Sequence, residues 1–108
     1  TEIFMNSYAI SLCNANDCES PTIVGAKIAN ELLDVDGIKA SFVLTEFEGK
    51  IYISARSIDE LNVQVVMEKL GGGGHITSAG AQLTDCTLQE GAEIVRNTLT
   101  KMKEEGDI

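Results

Sequence analysis

Tryptophan is absent from this 108-residue chain, proline and histidine occur once each, and arginine occurs twice. Each scarcity excludes something. Without tryptophan, and with aromatic residues at only 5%, the core must be aliphatic, built from Ile, Leu, Val and Ala. One histidine rules out a His-rich dinuclear metal centre. Bases number 8 against 17 acids, a net charge of −9, which opposes a fold-wide grip on a long nucleic acid. Any anion must be held locally, by a few directed donors. No apolar run approaches the roughly 20 residues of a spanning helix, and no signal peptide is visible. The three cysteines, Cys13, Cys18 and Cys86, lack the close pair spacing of a zinc ribbon. They are expected to be reduced, as in a cytoplasmic protein. The chain opens on Thr1 rather than Met, so the expectation is a fragment of something longer.

What is present describes one globular domain over residues 1–108. Hydrophobic residues make up 44% and charged residues 23%, ordinary for a folded chain. A chain of this length hides roughly two-thirds of its unfolded surface, enough to fold alone. No repeat, linker or low-complexity segment stands out.

Residues Ile3 to Leu12 are mostly apolar and suit one buried strand, with Tyr8, Ile10 and Leu12 on one side. Cys13 to Glu19 reads as a loop. Ser20-Pro21 is an N-cap followed by proline at the first helical position. Val24, Ile28 and Leu32, flanked by Ile23, Ala26 and Leu33, form the apolar stripe of a helix that Asp36-Gly37 ends. Ile38, Ala40, Phe42 and Leu44 alternate with polar positions as a strand should. Glu48-Gly49 suits a hairpin turn. The return strand runs from Lys50 to about Arg56, with Tyr52, Ser54 and Arg56 on one face and Ile51, Ile53 and Ala55 on the other. Asn62 can cap a second helix through Val63, Val66, Met67 and Leu70, with Gly71 as its left-handed C-terminal cap. Ala79, Ala81 and Leu83 alternate as a short strand. Thr87 and Glu90 make a capping box for a last helix lined by Leu88, Ala92, Val95, Leu99 and Met102. Lys101 and Lys103 sit near its C-terminus, where the dipole favours cations. The order β-α-β-β-α-β-α predicts an α/β fold on a four-stranded mixed sheet with three helices.

Two motifs could carry chemistry. Gly71-Gly72-Gly73-Gly74-His75 is costly, at about 0.5–1 kcal/mol per glycine relative to alanine, and an ordinary turn needs one or two. It reads either as a flexible connector or as a loop presenting backbone N–H groups to a ligand, for which phosphate is the natural candidate. It matches neither a P-loop, which ends Gly-Lys-Ser/Thr, nor a dinucleotide fingerprint, which follows a strand. His75 beside it is a candidate phosphate or proton donor. In Ser54-Ala55-Arg56-Ser57, Ser54 and Arg56 share a face at a strand end. Arg56 is either a bidentate phosphate donor or a surface charge paired with an acid such as Asp59. Arg96 lies in the last helix, where it is expected to be solvated. Tyr52 either stacks on a base or packs. The acids form no catalytic or metal-binding set.

These two motifs resemble the C-terminal, DHH-associated domain of the DHH phosphoesterase family. The stretch Ala55-Arg56-Ser57-Ile58-Asp59-Glu60-Leu61-Asn62-Val63-Gln64, with Met67-Glu68-Lys69-Leu70 before the glycines and Gln82-Leu83 after them, is similar to the GdpP/YybT-type cyclic di-AMP phosphodiesterases in particular. The resemblance covers essentially the whole chain. It implies the substrate-binding half of an enzyme that opens cyclic di-AMP to linear pApA. The two manganese ions would be held by an N-terminal domain carrying an Asp-His-His motif, and not by this chain. No catalytic residue and no metal ligand falls in the chain, so it should be inactive alone. By motif match, Arg56 and His75 would contact phosphate, Gly72, Gly73 and Gly74 would line the site, and Ser54 or Ser57 would assist. Where the family often has Ala-Ala-Gly or Ala-Ser-Gly after the histidine loop, this chain has Ser78-Ala79-Gly80, so the contacts at Ser78 are open. The implied partners are a cyclic dinucleotide and the chain's own DHH domain, with no long nucleic acid. A homodimer stays open, and the parent can be anchored in the membrane. Three alternatives remain: an oligoribonuclease-type domain, a tRNA-contacting module like that of alanyl-tRNA synthetase, and a purely structural dimerisation domain.

Overall fold

The computed structural model describes residues 2–14, 20–58 and 61–108. Cys18, Asp59 and Glu60 lie outside the described residues. Strands β1 (Glu2–Phe4), β2 (Tyr8–Asn14), β3 (Ala40–Phe47), β4 (Lys50–Ser57), β5 (Gly73–His75) and β6 (Ser78–Leu83) alternate with helices α1 (Pro21–Leu33), α2 (Val63–Lys69) and α3 (Leu88–Glu104). The strands form one sheet in the order β1-β2-β3-β4-β6-β5. The pairing of β2 with β3 is parallel and the others are antiparallel.

The mixed α/β class and the three helices match expectation, but the sheet has six strands rather than four. The two additional strands are the edges, three residues each. β1 is hidden in the apolar run from Ile3 to Leu12, which is not one strand. That run breaks at Met5 and Asn6, with φ of 54° and 64°, and folds back as a hairpin. β5 is hidden in the glycine run, whose composition disfavours strand. Cys13 and Asn14, expected in a loop, continue β2.

The sheet separates two layers. On one face Ile10, Phe42, Leu44, Ile51, Ile53 and Ala55 pack against α2 and α3, through Val63, Val66, Met67, Ala92, Val95, Leu99 and Met102. Each large apolar side chain contributes about 1.5–3 kcal/mol on full burial, so this layer holds the fold together. Helix starts are anchored as their sequences require. Asn62 Oδ1 accepts from the Val65 N–H at 3.2 Å. Thr87 and Glu90 form the reciprocal capping box.

The other face carries α1 over β3 and β4. Here the expected stripe is shifted. The residues in closest contact are Pro21, Gly25 and Ala29, all buried, while Val24, Ile28 and Leu32 flank them half-buried and Ile23 is 63% exposed. The reason lies in the surface beneath. Ser41, Val43, Thr45 and Ser54 are short, so the helix descends until its own small residues meet them. A Cβ at Gly25 would stand 2.7 Å from Ser54 Oγ. Ser41 Oγ donates to the Ala29 carbonyl at 2.7 Å. Ser20 is the N-cap by position, but its hydroxyl pairs with Thr22 Oγ1 at 3.0 Å and makes no cap bond to the backbone.

Candidate functional site

Beside α1, on its side of the sheet, lies an open groove of about 570 Å³ lined by Tyr52, Ser54, Arg56, the glycines Gly71 to Gly74, Ser78, Gly80, Gln82 and Thr22 of the first turn of α1. Strand register builds its floor in cross-strand rows, because residues directly opposite in an antiparallel pair project from the same face. Arg56 pairs with Ser78 and Ser78 with His75. Ser54 pairs with Gly80 and Gly80 with Gly73. Tyr52 pairs with Gln82.

Arg56 and His75 therefore share one face, two strand spacings or about 10 Å apart. They do not share the groove equally. Arg56 is half-buried and lines it, whereas His75 is exposed at the outer end of its row and is not among the lining residues. Ser54 is a buried lining residue at 7% exposure. Ser57 is not in the groove. Alternation puts it on the opposite face with Ala40 and Ala55, 6% exposed, its Oγ without a hydrogen-bond partner among the described residues.

The two arginines differ in a way that composition could not reveal. Arg96, expected to be solvated, is tied to Glu2 at 2.6 Å and to Glu93 at 2.9 Å, fastening β1 to α3. The hydrogen bond to Glu93 chiefly holds its guanidinium above the ordinary range. Arg56 has no carboxylate partner among the described residues. Its one hydrogen bond there goes to the Ala55 carbonyl at 2.8 Å, and burial pushes its pKa down. It stays charged, since a guanidinium does not deprotonate in proteins, and it lines the groove with no carboxylate among the described residues to compensate that charge. Asp59, the acid expected to pair with it, lies outside the described residues.

The glycine run is not the loop that its composition predicts. Gly71, at φ 88°, ends α2. The Gly71 N–H donates to the Glu68 carbonyl and the Gly72 N–H to the Met67 carbonyl. That is the paired arrangement of a Schellman cap, and it removes two N–H groups from any anion nest. Gly73 to His75 then pair with β6 as an edge strand, in which alternate backbone groups face away from the partner. Two of the glycines, Gly72 and Gly74, are required for space. A Cβ at Gly72 would fall 2.0 Å from the Gly80 carbonyl oxygen. One at Gly74, where φ is 144°, would fall 2.5 Å from Ala79 Cα.

Sequence reasoning missed Thr22, Gly80 and Gln82 as lining residues. Glycine within the β6 pattern was a usable signal of close backbone approach. Gln82 carried none, because its position opposite Tyr52 depends on strand pairing. Among the described residues, no group of three or more His, Cys, Asp or Glu side chains could hold a metal ion, so the donors present do not fit a manganese pair. No helix among the described residues is long and apolar enough to cross a membrane.

Comparison with known proteins gives this geometry a context. The chain is 44% identical over 90 residues to the cyclic-di-AMP phosphodiesterase PdeA of Listeria monocytogenes, covering 82% of the chain. It is 42% identical over 92 residues to the cyclic-di-AMP phosphodiesterase GdpP of Geobacillus thermodenitrificans, covering 84%. It spans 14% of the length of each. The C-Ala domain of alanyl-tRNA synthetase from Aquifex aeolicus superposes with a TM-score of 0.63 over 89% of this chain and 96% of that one, at 14% identity, which is a likeness of fold alone. Residues 8–104 match the DHHA1 domain, and the chain is a member of the DHHA1 domain family.

Proposed function

We propose that this domain is the substrate-gripping part of a DHH-family phosphodiesterase that opens cyclic di-AMP to the linear dinucleotide. The observation that carries the reading is Arg56, a half-buried guanidinium with no carboxylate partner among the described residues, beside a groove whose middle row sets Ser54 next to two glycines. An unpaired cation in a recess attracts an anion, and a charge-assisted hydrogen bond contributes about 1.5–3 kcal/mol. The glycines leave room for a bulky ligand to come down onto backbone. Ser54 and Ser78 supply hydroxyls in the same and the adjacent row. His75, at the rim, can reach a phosphate that extends past Ser78.

In this reading the ions and the attacking water belong to a partner DHH domain, and the present chain binds and orients. The parent would be tethered to the membrane through segments other than those described. A long nucleic acid is disfavoured as ligand by the net charge of −9, which also weighs against a tRNA-contacting role despite the shared fold.

The test uses the full-length parent. Arg56→Ala should lower turnover of cyclic di-AMP by at least about tenfold, the equivalent of one lost charge-assisted bond, with metal content unchanged. His75→Ala should lower it less. Wild-type turnover in Arg56→Ala would overturn the reading. A panel including short oligoribonucleotides and cyclic di-GMP would show whether the substrate is the cyclic adenine dinucleotide.

A further inference from the structure

On the groove face of β6 stand Ser78, Gly80 and Gln82, so Ser78 is the one side chain of that strand close to Arg56. Backbone bonding fixes how close. The Ser57 N–H donates to the Thr77 carbonyl at 3.0 Å, so the backbone groups of Ser57 face β6. Groups two residues apart on a strand face the same neighbour, and those of Ala55 therefore face β6 as well. Arg56 and Ser78 are then a non-hydrogen-bonded pair, with Cα atoms about 4.5 Å apart and side chains at their closest. The guanidinium also leans towards β6, because its Nη1–H donates to the Ala55 carbonyl. On the other side of Ser78 stands His75, its partner in the β5–β6 hairpin, about 5.5 Å away. Ser78 is half-buried, and its hydroxyl makes no hydrogen bond among the described residues. Ser54 is placed differently. Its Oγ lies against α1, where a Cβ at Gly25 would stand 2.7 Å from it.

We infer that Ser78 is a phosphate-binding residue and that the phosphate sits over β6, on the Ser78 hydroxyl, with Arg56 closing on it from β4 and His75 from β5. This rests on the phosphate-gripping role proposed above for Arg56. A phosphate turns its oxygens in several directions, so donors from three strands reach different oxygens of one group. The guanidinium supplies charge and a fork of N–H donors. The serine O–H rotates to suit its acceptor and meets the phosphate from the floor, while the His75 ring reaches it from the rim. The next groove-face position of β6 is Gly80, beside Gly73, which leaves the space above the strand open for the sugar attached to the phosphate. Ser54 is then a lesser contact. It lies two positions back along β4 from Arg56, about 7 Å at strand rise, with its hydroxyl towards α1 rather than β6.

The chain builds its aliphatic core from its own residues, so the 108-residue protein can be titrated directly with inorganic phosphate and with AMP, followed by NMR shifts of the groove backbone. Ser78→Ala should weaken both ligands by about tenfold, the loss of one charge-assisted bond, with the melting temperature unchanged. Ser78→Thr, which keeps the hydroxyl, should recover most of that loss. Ser54→Ala should cost less than Ser78→Ala. In the Arg56→Ala, Ser78→Ala double variant the loss should fall short of the product of the single losses, since both groups hold one phosphate. Wild-type affinity in Ser78→Ala, an equal loss in Ser54→Ala, or fully multiplicative losses in the double variant would each overturn the inference. Ser78→Thr as weak as Ser78→Ala would assign the effect to shape rather than to the hydroxyl and overturn it too, as would absence of binding of both ligands by the wild type. Turnover of cyclic di-AMP by the Arg56→Ala parent decides the phosphodiesterase reading separately, because the position of the phosphate is read from binding without catalysis.

Discussion

The two faces of the sheet are made of the same strands and do different work. Towards α2 and α3 the alternate residues are mostly aliphatic or aromatic and buried, from Ile10 through Phe42 and Leu44 to Ile53, with Ser57 a buried polar residue among them. Towards α1 the alternate positions are Ser11, Ser41, Val43, Thr45 and Ser54. The first face buries large apolar area and stabilises the fold. The second is shallow and polar, so it buries less but leaves along a groove hydroxyls, glycine and an arginine with no carboxylate partner among the described residues. One strand, β4, serves both, with Ile51, Ile53 and Ala55 facing the core and Tyr52, Ser54 and Arg56 facing the groove. Stability and binding are thereby separable by residue parity, and substitutions on each side test the separation.

The largest expected effect is on the core face. Leu99→Ala removes a fully buried side chain of α3 and should lower unfolding free energy by about 2–5 kcal/mol in urea titration. Nucleotide affinity of the folded fraction should be unchanged. A parallel fall in affinity would show the faces to be coupled.

Next is the point where the glycine run meets β6. Gly72→Ala drives a methyl into the Gly80 carbonyl and should destabilise by about 1–3 kcal/mol. Wild-type melting would show that the chain relieves the clash cheaply.

A smaller effect of opposite sign is expected under α1. Thr45 Oγ1 is buried without a hydrogen-bond partner among the described residues, so Thr45→Val should raise stability by about 1 kcal/mol. Ser41→Ala, which removes the bond to the Ala29 carbonyl, should lower it by a similar amount. If both lower it, Thr45 has a partner that dry packing does not provide.

The smallest stability effect and the sharpest contrast come from Gly73→Ala. A Cβ there meets nothing within 4 Å, so unfolding free energy should stay within about 0.5 kcal/mol, while the methyl intrudes on the groove and weakens AMP binding. Unchanged binding would place the ligand elsewhere.

Much of the molecule is legible in the residues themselves. The alternation in β4 separates groove from core unaided, since it needs only the two-residue period. Asn62, Gly71 and the Thr87–Glu90 pair mark helix ends through bonds made within a few residues. The failures are non-local. Residue size puts the stripe of α1 on Val24, Ile28 and Leu32, yet the surface beneath admits only Gly25 and Ala29. The motif match groups Ser57 with Arg56, but adjacent residues on a strand point to opposite faces. Glycine disfavours strand, so the glycine run suggests a loop, and β6 supplies the ladder that overrides this.

Local patterning thus determined the class of the fold, the buried periodicity of α2, α3 and β4, and the motifs that point to an anion. Those depend on contacts within a few residues, which a one-dimensional pattern records. Tertiary structure alone decided that β1 and β5 form the edges of the sheet, that Arg96 is neutralised by Glu2 and Glu93 while Arg56 meets no carboxylate among the described residues, and that Gln82 stands opposite Tyr52. Each of these is set by segments far apart in the chain, and strand register and side-chain charge compensation follow from which segments meet.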